Sequence, residues 1–256
     1  MGDGTNYDFI ELNGIHDMIV KDRDRDNPRT HGMIPGVHAA TFRLIRASLE
    51  VRGVHGSTAH QQDIQALLSA MSPDAHQTAD ETDDQFTFKF PGESERFMFA
   101  RPVRRSRPRR VSSEFGLAPI RFELKVYDPR QYSTYEDNSG SQTSAFTVVN
   151  GGDAQAFPII EFGVDTLGGM FLTNDTNGSI FSTAGMTASS NDYIADMGRW
   201  NRGRGDLLIV YKGSVNHYNK WQIPRNPFYL NPGTNELQLT ISSDAEVTIR
   251  SRDTWM

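Results

Sequence analysis

The chain has 256 residues, 37% of them hydrophobic, no cysteine, and a formal charge of −6 that divides evenly, −3 over residues 1–144 and −3 over residues 145–256. The missing cysteine excludes a disulfide framework, thiolate metal sites and thiol catalysis, and the even acidic charge excludes a basic nucleic-acid module in either half. The length admits two domains or one large β domain, and 22 glycines among Asn-, Ser- and Thr-rich turns favour short strands over long helices.

The N-terminus, Met1-Gly2-Asp3-Gly4-Thr5-Asn6, is acidic and polar and reads as neither a signal peptide nor a myristoylation site, because Asn6 stands where Ser or Thr is needed. Phe9–Leu12 followed by Asn13-Gly14 predicts a strand and a tight turn. Lys21 to Arg29 alternates in charge and ends in Asn27-Pro28, which predicts an exposed loop. Thr41 to Val54 predicts a long strand. Phe42 and Leu44 are in the opposite phase to Leu49 and Val51, which calls for a bulge or bend near Ala47-Ser48. Ser57 is placed to cap a helix, whose apolar face carries Ile64, Leu67, Leu68 and Met71 and which Ser72-Pro73 stops. Asp74 to Gln85 is polar and acidic, hence a loop. Phe86, Phe88 and Phe90 alternate as a strand, Pro91-Gly92 turns it, and Phe97-Met98-Phe99 starts the return. Ile120, Phe122, Leu124 and Val126 mark another strand.

Residues 136–144 lie within a polar, Gly- and Ser-bearing stretch with the composition of a linker or long loop. The expected division is therefore 1–135, 136–144 as linker, and 145–256. The last part shows no helical period. It has short apolar runs at 157–162, 169–172, 180–181, 207–211, 235–241 and 247–250, with Asn174–Ser179 as a hairpin turn, which predicts a β-sandwich. The longest dense apolar run, Leu207–Tyr211, is far too short to span a membrane.

Chemical motifs are absent. His55 with His60 and His31 with His38 do not have metal-ligand spacing. Asp192 with Asp196, or Asp153 with Glu161, supply carboxylates for a glycosidase pair, but no motif selects them over ordinary loop acids. No nucleophile elbow and no phosphate loop occur. Asn174-Asp175-Thr176 and Asn177-Gly178-Ser179 match glycosylation acceptors, which carry no weight if a bacterium makes the protein. The expectation is no metal, no cofactor and no enzymatic activity.

One ordered set of segments does carry a resemblance. Ala100-Arg101-Pro102-Val103-Arg104-Arg105, Phe115-Gly116-Leu117-Ala118 and Tyr127-Asp128-Pro129-Arg130-Gln131-Tyr132-Ser133 resemble the first domain of the distal tail proteins, or minor tail proteins, of long-tailed siphophages, particularly those of actinobacteria. Phe157–Phe162 resembles the opening strand of the second domain in that family. Pro232–Leu237, Ala245–Arg250 and Trp255 resemble its end. The resemblance implies a mainly β fold. An N-terminal sandwich or barrel with one helix, tail-tube-like, would close a homohexameric ring, and a C-terminal galectin-like β-sandwich would stand outside it. It further implies a virion protein at the tail tip, assembled in the host cytoplasm. Its partners would be the tail tube protein, the tail-tip hub, and possible contacts with the tape-measure protein and host surface glycan. Genome DNA would only pass through, and no membrane would be entered.

Arg101, Arg104, Arg105, Arg107, Arg109 and Arg110, with Pro102 and Pro108 between them, form the strongest charge feature. Three readings compete: phosphate binding, a solvated loop, and a subunit interface in which Asp80, Glu81, Asp83 and Asp84 of the next protomer face the arginines. The interface is preferred, since a tube that must release DNA gains nothing from a sticky lumen. The two prolines argue against a regular central strand. Trp200, Trp221 and Tyr218 are candidates for a sugar platform, against the alternative that they fill the sandwich core. The competing function is accordingly a carbohydrate-binding module that recognises the host envelope.

Overall fold

Two-residue alternation organises the first of the two units into which the chain divides. The computed structural model describes residues 7–15, 19–21, 25–26, 33–34, 39–54, 57–72, 85–106, 117–126, 128–164, 169–186, 189–198, 210–212, 215–222, 228–241 and 246–256. One unit comprises Met1–Phe86 with Met98–Pro129, the other Thr87–Phe97 with Arg130–Met256.

The first unit holds β1 (Tyr7–Asn13), β2 (Ile19–Lys21), β3 (Arg25–Asp26), β4 (Met33–Ile34), β5 (Ala39–Arg52), α1 (Thr58–Ala70), most of β7 (Arg96–Arg105) and β8 (Leu117–Val126); β6 (Gln85–Phe88) begins in it. Its sheet runs β1-β5-β8-β7, antiparallel throughout, with β2 also on β5. Ile45, Ala47, Leu49 and Val51 of β5 are buried, as are Ile120, Phe122, Leu124 and Val126 of β8. The expected bend near Ala47-Ser48 is not there. β5 keeps one phase over its described side chains, and the irregularity sits on β1, between Phe9 and Glu11. The misleading residue is Arg43, which takes an inward position at 0% exposure and leaves Leu44 outward. It is tolerated there because its Nε donates to the Pro129 carbonyl at 2.6 Å and its Nη1 to the Ile15 carbonyl. The stretch expected as a loop from Lys21 to Arg29 instead contributes Lys21 to β2 and Arg25–Asp26 to β3, which pairs with β4; its remaining residues lie outside those described.

Gly14 follows β1 at φ +90°, and a β-carbon there would stand 2.1 Å from the Leu44 carbonyl oxygen, so this turn admits only glycine. Ser57 caps α1, its Oγ accepting from the His60 N–H at 3.2 Å. Leu67 is buried on the expected apolar face, Ile64, Leu68 and Met71 are half-buried, and His60 extends that face back by one turn. Phe90 and Glu93 close the Pro91-Gly92 turn through a 3.1 Å hydrogen bond.

The second unit contains β9 (Gln131–Ser133), β10 (Asp137–Asn138), β11 (Phe146–Asn150), β12 (Ile159–Val164), β13 (Met170–Asn174), β14 (Ser179–Ser182), β15 (Ser189–Asp196), β16 (Val210–Lys212), β17 (Val215–Asn216), β18 (Gly233–Ile241), β19 (Val247–Ser251) and β20 (Thr254–Trp255). Two sheets, β10-β19-β12-β15-β16-β17 and β11-β18-β13-β14, close on one core that includes Phe162, Ile249, Leu172, Phe181 and Leu237. The predicted sandwich is therefore present, and so is the Asn174–Ser179 hairpin.

Two expectations need correction. Residues 136–144 are not a free linker. Asp137 and Asn138 pair with Ser251 and Arg250, the Ser139 N–H donates to Ile249, and Gln142 exchanges backbone bonds of 2.8 and 2.9 Å with Val247. Polar side chains help to anchor the segment: Ser139 Oγ accepts from the Ile249 N–H, and Asn138 Oδ1 from the Gly140 N–H. Composition reads such residues as loop because they carry no apolar period, while here they bond backbone directly. The unit boundary falls accordingly at Pro129/Arg130. β15 escaped notice for a related reason: among its residues with described side chains, the buried ones are Tyr193 and Ala195, with Met197 just beyond.

Candidate functional site: a basic sheet face

The outer face of the first unit's sheet gathers arginines from three strands. Asn13 stands opposite Arg46, Arg46 opposite Glu123, and Glu123 opposite Arg104. In the next row Glu11 faces Ser48 and Ser48 faces Arg121. Residues directly opposed across strands share a face, so these two rows form one polar surface over a concavity of about 680 Å³. Four arginines line it, Arg46, Arg104, Arg105 and Arg121, against two acids, Glu11 and Glu123. Both acids are engaged. Arg46 Nε lies 3.1 Å from Glu123 Oε1, and Asn13 Nδ2 donates to Glu11 Oε1 at 2.6 Å. Arg104, Arg105 and Arg121 are exposed, and no carboxylate among the described residues pairs with them.

The segment Arg101–Arg105 is strand despite Pro102, but an irregular one, in keeping with the sequence expectation. A register shift between Pro102 and Arg104 accounts for this. The bulge relieves the strand of one ladder bond beside the residue that lacks an N–H, and it turns Arg104 rather than Val103 toward Glu123. Ser106 then locks the strand end: its Oγ accepts from the Arg121 N–H at 2.9 Å and its N–H donates to the Arg121 carbonyl at 2.7 Å.

Of the interface candidates, Arg104 and Arg105 thus come together in the concavity, and Arg101 is half-buried opposite Lys125. Arg107, Arg109, Arg110, Asp80, Glu81, Asp83 and Asp84 lie outside the described residues. Arg46 and Arg121 belong to the same face but do not stand out in the sequence. They sit in alternating strands, and only the register of β5 against β8 brings them together. Trp221 has to be withdrawn from the sugar platform. It is 2% exposed inside the sandwich core, where it bridges to Thr183 through the backbone. Tyr218 begins a short 3-10 turn, Tyr218–Lys220, and Trp200 lies outside the described residues.

A second constellation lies in the other unit, where the loop Asn150–Asp153 clasps residues 253–256. Asn150 Oδ1 accepts from the Thr254 N–H at 3.3 Å, the Ala154 N–H donates to Thr254 at 2.9 Å, and Asp153 Oδ1 accepts from the Met256 N–H at 2.8 Å. A β-carbon on Gly152 would stand 1.9 Å from the Thr254 carbonyl oxygen, so glycine is needed for this approach. Beyond the clasp, Thr254 and Trp255 pair with Tyr132 and Gln131, and the Arg96 guanidinium lies 4.0 Å from the centre of the Trp255 ring. Burial and the Asp253 carboxylate together hold the Asp137 carboxyl above its usual range.

No group of three or more His, Cys, Asp or Glu suited to a metal ion occurs among the described residues. His60 is buried in α1, while Asp153 and Glu161 serve separate structural contacts, Glu161 with Arg250 at 2.7 Å. No described helix is long and apolar enough to cross a membrane.

No family model matches the chain, and no curated protein matches it. Among solved structures it is similar to the Dit protein (gp 19.1) of phage SPP1, described as a paradigm of the hub adsorption apparatus in phages infecting Gram-positive bacteria. The TM-score is 0.66 at 15% identity, covering 98% of this chain and 94% of that one. It is also similar to a chain of the phage P2 baseplate in its activated conformation with calcium, with a TM-score of 0.55 at 8% identity over 96% of this chain and 91% of that one. The strontium form of that baseplate gives the same values. The fold is shared with these proteins. It is mainly β, with one long α-helix among the described residues, as expected from the sequence.

Proposed function

We propose that this chain is a structural component of a phage tail tip, a distal tail protein. In this reading six copies form a ring that joins the tail tube to the hub of the baseplate and leaves a channel for the genome. The observation that carries the reading is the likeness to the SPP1 Dit protein, which runs nearly the full length of both chains rather than over one common module. The ordered sequence segments that resemble the distal tail family support it independently. The first unit is the ring-forming part, and the second unit is the galectin-like domain outside the ring. The arginine run from Arg101 to Arg110 and the acids Asp80 to Asp84 are candidate subunit contacts. The protein is a scaffold with no catalytic task and no cofactor. Its partners are further copies of itself, the tube protein and the hub protein.

Negative-stain micrographs of the purified chain, together with its mass in solution, test this. Rings of six-fold symmetry are expected. A protein that stays monomeric at every concentration, and against which antibodies fail to label tail tips, would overturn the reading.

A further inference from the structure

We infer that the concavity on the first unit's outer sheet face is a receptor for a carboxylate-rich chain segment, and that its occupant is the stretch Asp80-Glu81-Thr82-Asp83-Asp84 of a second copy. The inference rests on the ring reading above and adds Arg46 and Arg121 to the contact.

The charge balance comes first. Four arginines face two glutamates in the concavity, and each glutamate is already held, by Arg46 or by Asn13. Three guanidinium groups, on Arg104, Arg105 and Arg121, are left without a described carboxylate. Like charges this close repel unless an anion intervenes, and guanidinium binds carboxylate through paired, directed hydrogen bonds.

The geometry fits a short extended segment. Arg46 and Arg104 are separated by one intervening strand, β8, which sets them about 10 Å apart at the usual strand spacing. An extended run from Asp80 to Asp84 spans about 13 Å, and four of those five residues are acids.

The interleaved glutamates decide between an acidic peptide and a nucleic acid. A phosphate backbone is an unbroken line of acceptors, so Glu11 and Glu123 would repel it. A peptide carries N–H groups and the Thr82 hydroxyl between its carboxylates, and these donate to the glutamate oxygens that a phosphodiester would leave facing like charge. The glutamates set among the arginines of the concavity also fix one register of an acidic segment and reject others.

The test uses the full-length chain and a synthetic peptide of residues 78–86, followed by fluorescence anisotropy. Binding to wild type is expected. It should weaken about tenfold or more in Arg104→Glu with Arg121→Glu, in the neutral pair Arg104→Gln with Arg121→Gln, and when Asp83 and Asp84 of the peptide become Asn. Raising the salt from about 50 mM to about 500 mM should weaken it further, because exposed charges are screened. Circular dichroism keeps loss of folding apart from loss of binding. In the assembled protein, Arg104→Glu with Arg121→Glu should dissociate the ring, as should Asp83→Arg with Asp84→Arg, and the four-fold combination should restore it. Peptide binding indifferent to the arginines, or a combination no better than either pair, would overturn the inference. So would a short DNA duplex that binds the same arginines more tightly than the peptide. A monomeric wild type that still binds the peptide through Arg104 and Arg121 would sink the ring reading and leave this site standing.

Discussion

The two units of this chain use opposite strategies for their polar residues. In the first, the sheet buries one aliphatic face and leaves the other lined with four arginines above a concavity, three of which, Arg104, Arg105 and Arg121, meet no carboxylate among the described residues. In the second, charge is spent within the unit. Arg250 contacts both Glu136 and Glu161, Arg252 contacts Glu136, and Asn174 and Asn235 bond each other inside the sandwich. Surface ion pairs contribute little to stability on their own, so these three arginines cost the first unit little as a fold. A surface left with unmet charge is a surface available for association, and one whose charges are internally matched is built to persist alone.

Substitutions can break this contrast. The largest effect should come from Phe162→Ala in the second unit. Its ring is fully buried, with centroid distances of 5.7 Å to Phe181 and 5.4 Å to Tyr193, and its loss should cost about 3–5 kcal/mol in denaturant unfolding. An unchanged midpoint would mean that the core does not carry that unit. Next comes Arg43→Ala in the first unit, which leaves the Ile15 and Pro129 carbonyls without their donor. About 2–3 kcal/mol should be lost. If the change were neutral, polar satisfaction would matter in the second unit alone.

Trp255→Ala removes the ring beneath the Arg96 guanidinium. It should lower stability by about 1–2 kcal/mol and expose residues 131–133 to faster amide exchange, since β20 pairs with them. Exchange unaltered at Gln131 and Tyr132 would show that the clasp is decorative. The smallest effect is at Asp137. Its carboxyl is raised by burial and by Asp253, so the folded state disfavours its ionised form more than the unfolded chain does. Stability should therefore rise as pH falls from neutral through the raised value, and the gain should be complete below the ordinary value of 3.8. Asp137→Asn should melt slightly higher at neutral pH and lose this part of the pH dependence. An identical melting profile for variant and wild type would remove Asp137 from the account.

The sequence was informative where one apolar period ran unbroken. Ile120 to Val126, the capped helix after Ser57 and the Asn174–Ser179 hairpin all appear as expected, because in each the local pattern and the buried face agree. It misled where a polar residue held an inward place. Arg43 hid the phase of β5, and Asn138, Ser139 and Gln142 passed for linker while serving as backbone partners. The candidate site was half visible. Arg104 and Arg105 stand out as a run, but Arg46 and Arg121 join them only through strand register, which depends on residues some 75 positions apart, as in the pairing of Arg46 with Glu123 at 77.

The clasp on residues 253–256 also sets an order of events during synthesis. Arg252 bonds to Ser133, 119 positions earlier, and Trp255 covers Arg96, which precedes both. Contacts this distant in sequence form late and slowly. A ribosome finishing the first unit therefore holds a chain whose segment Thr87–Phe97 still waits for strands not yet made. Until those strands are made, the aromatic side chains of that segment, Phe88, Phe90 and Phe97, lack their final cover and are the natural point for a chaperone to act or for nascent copies to entangle.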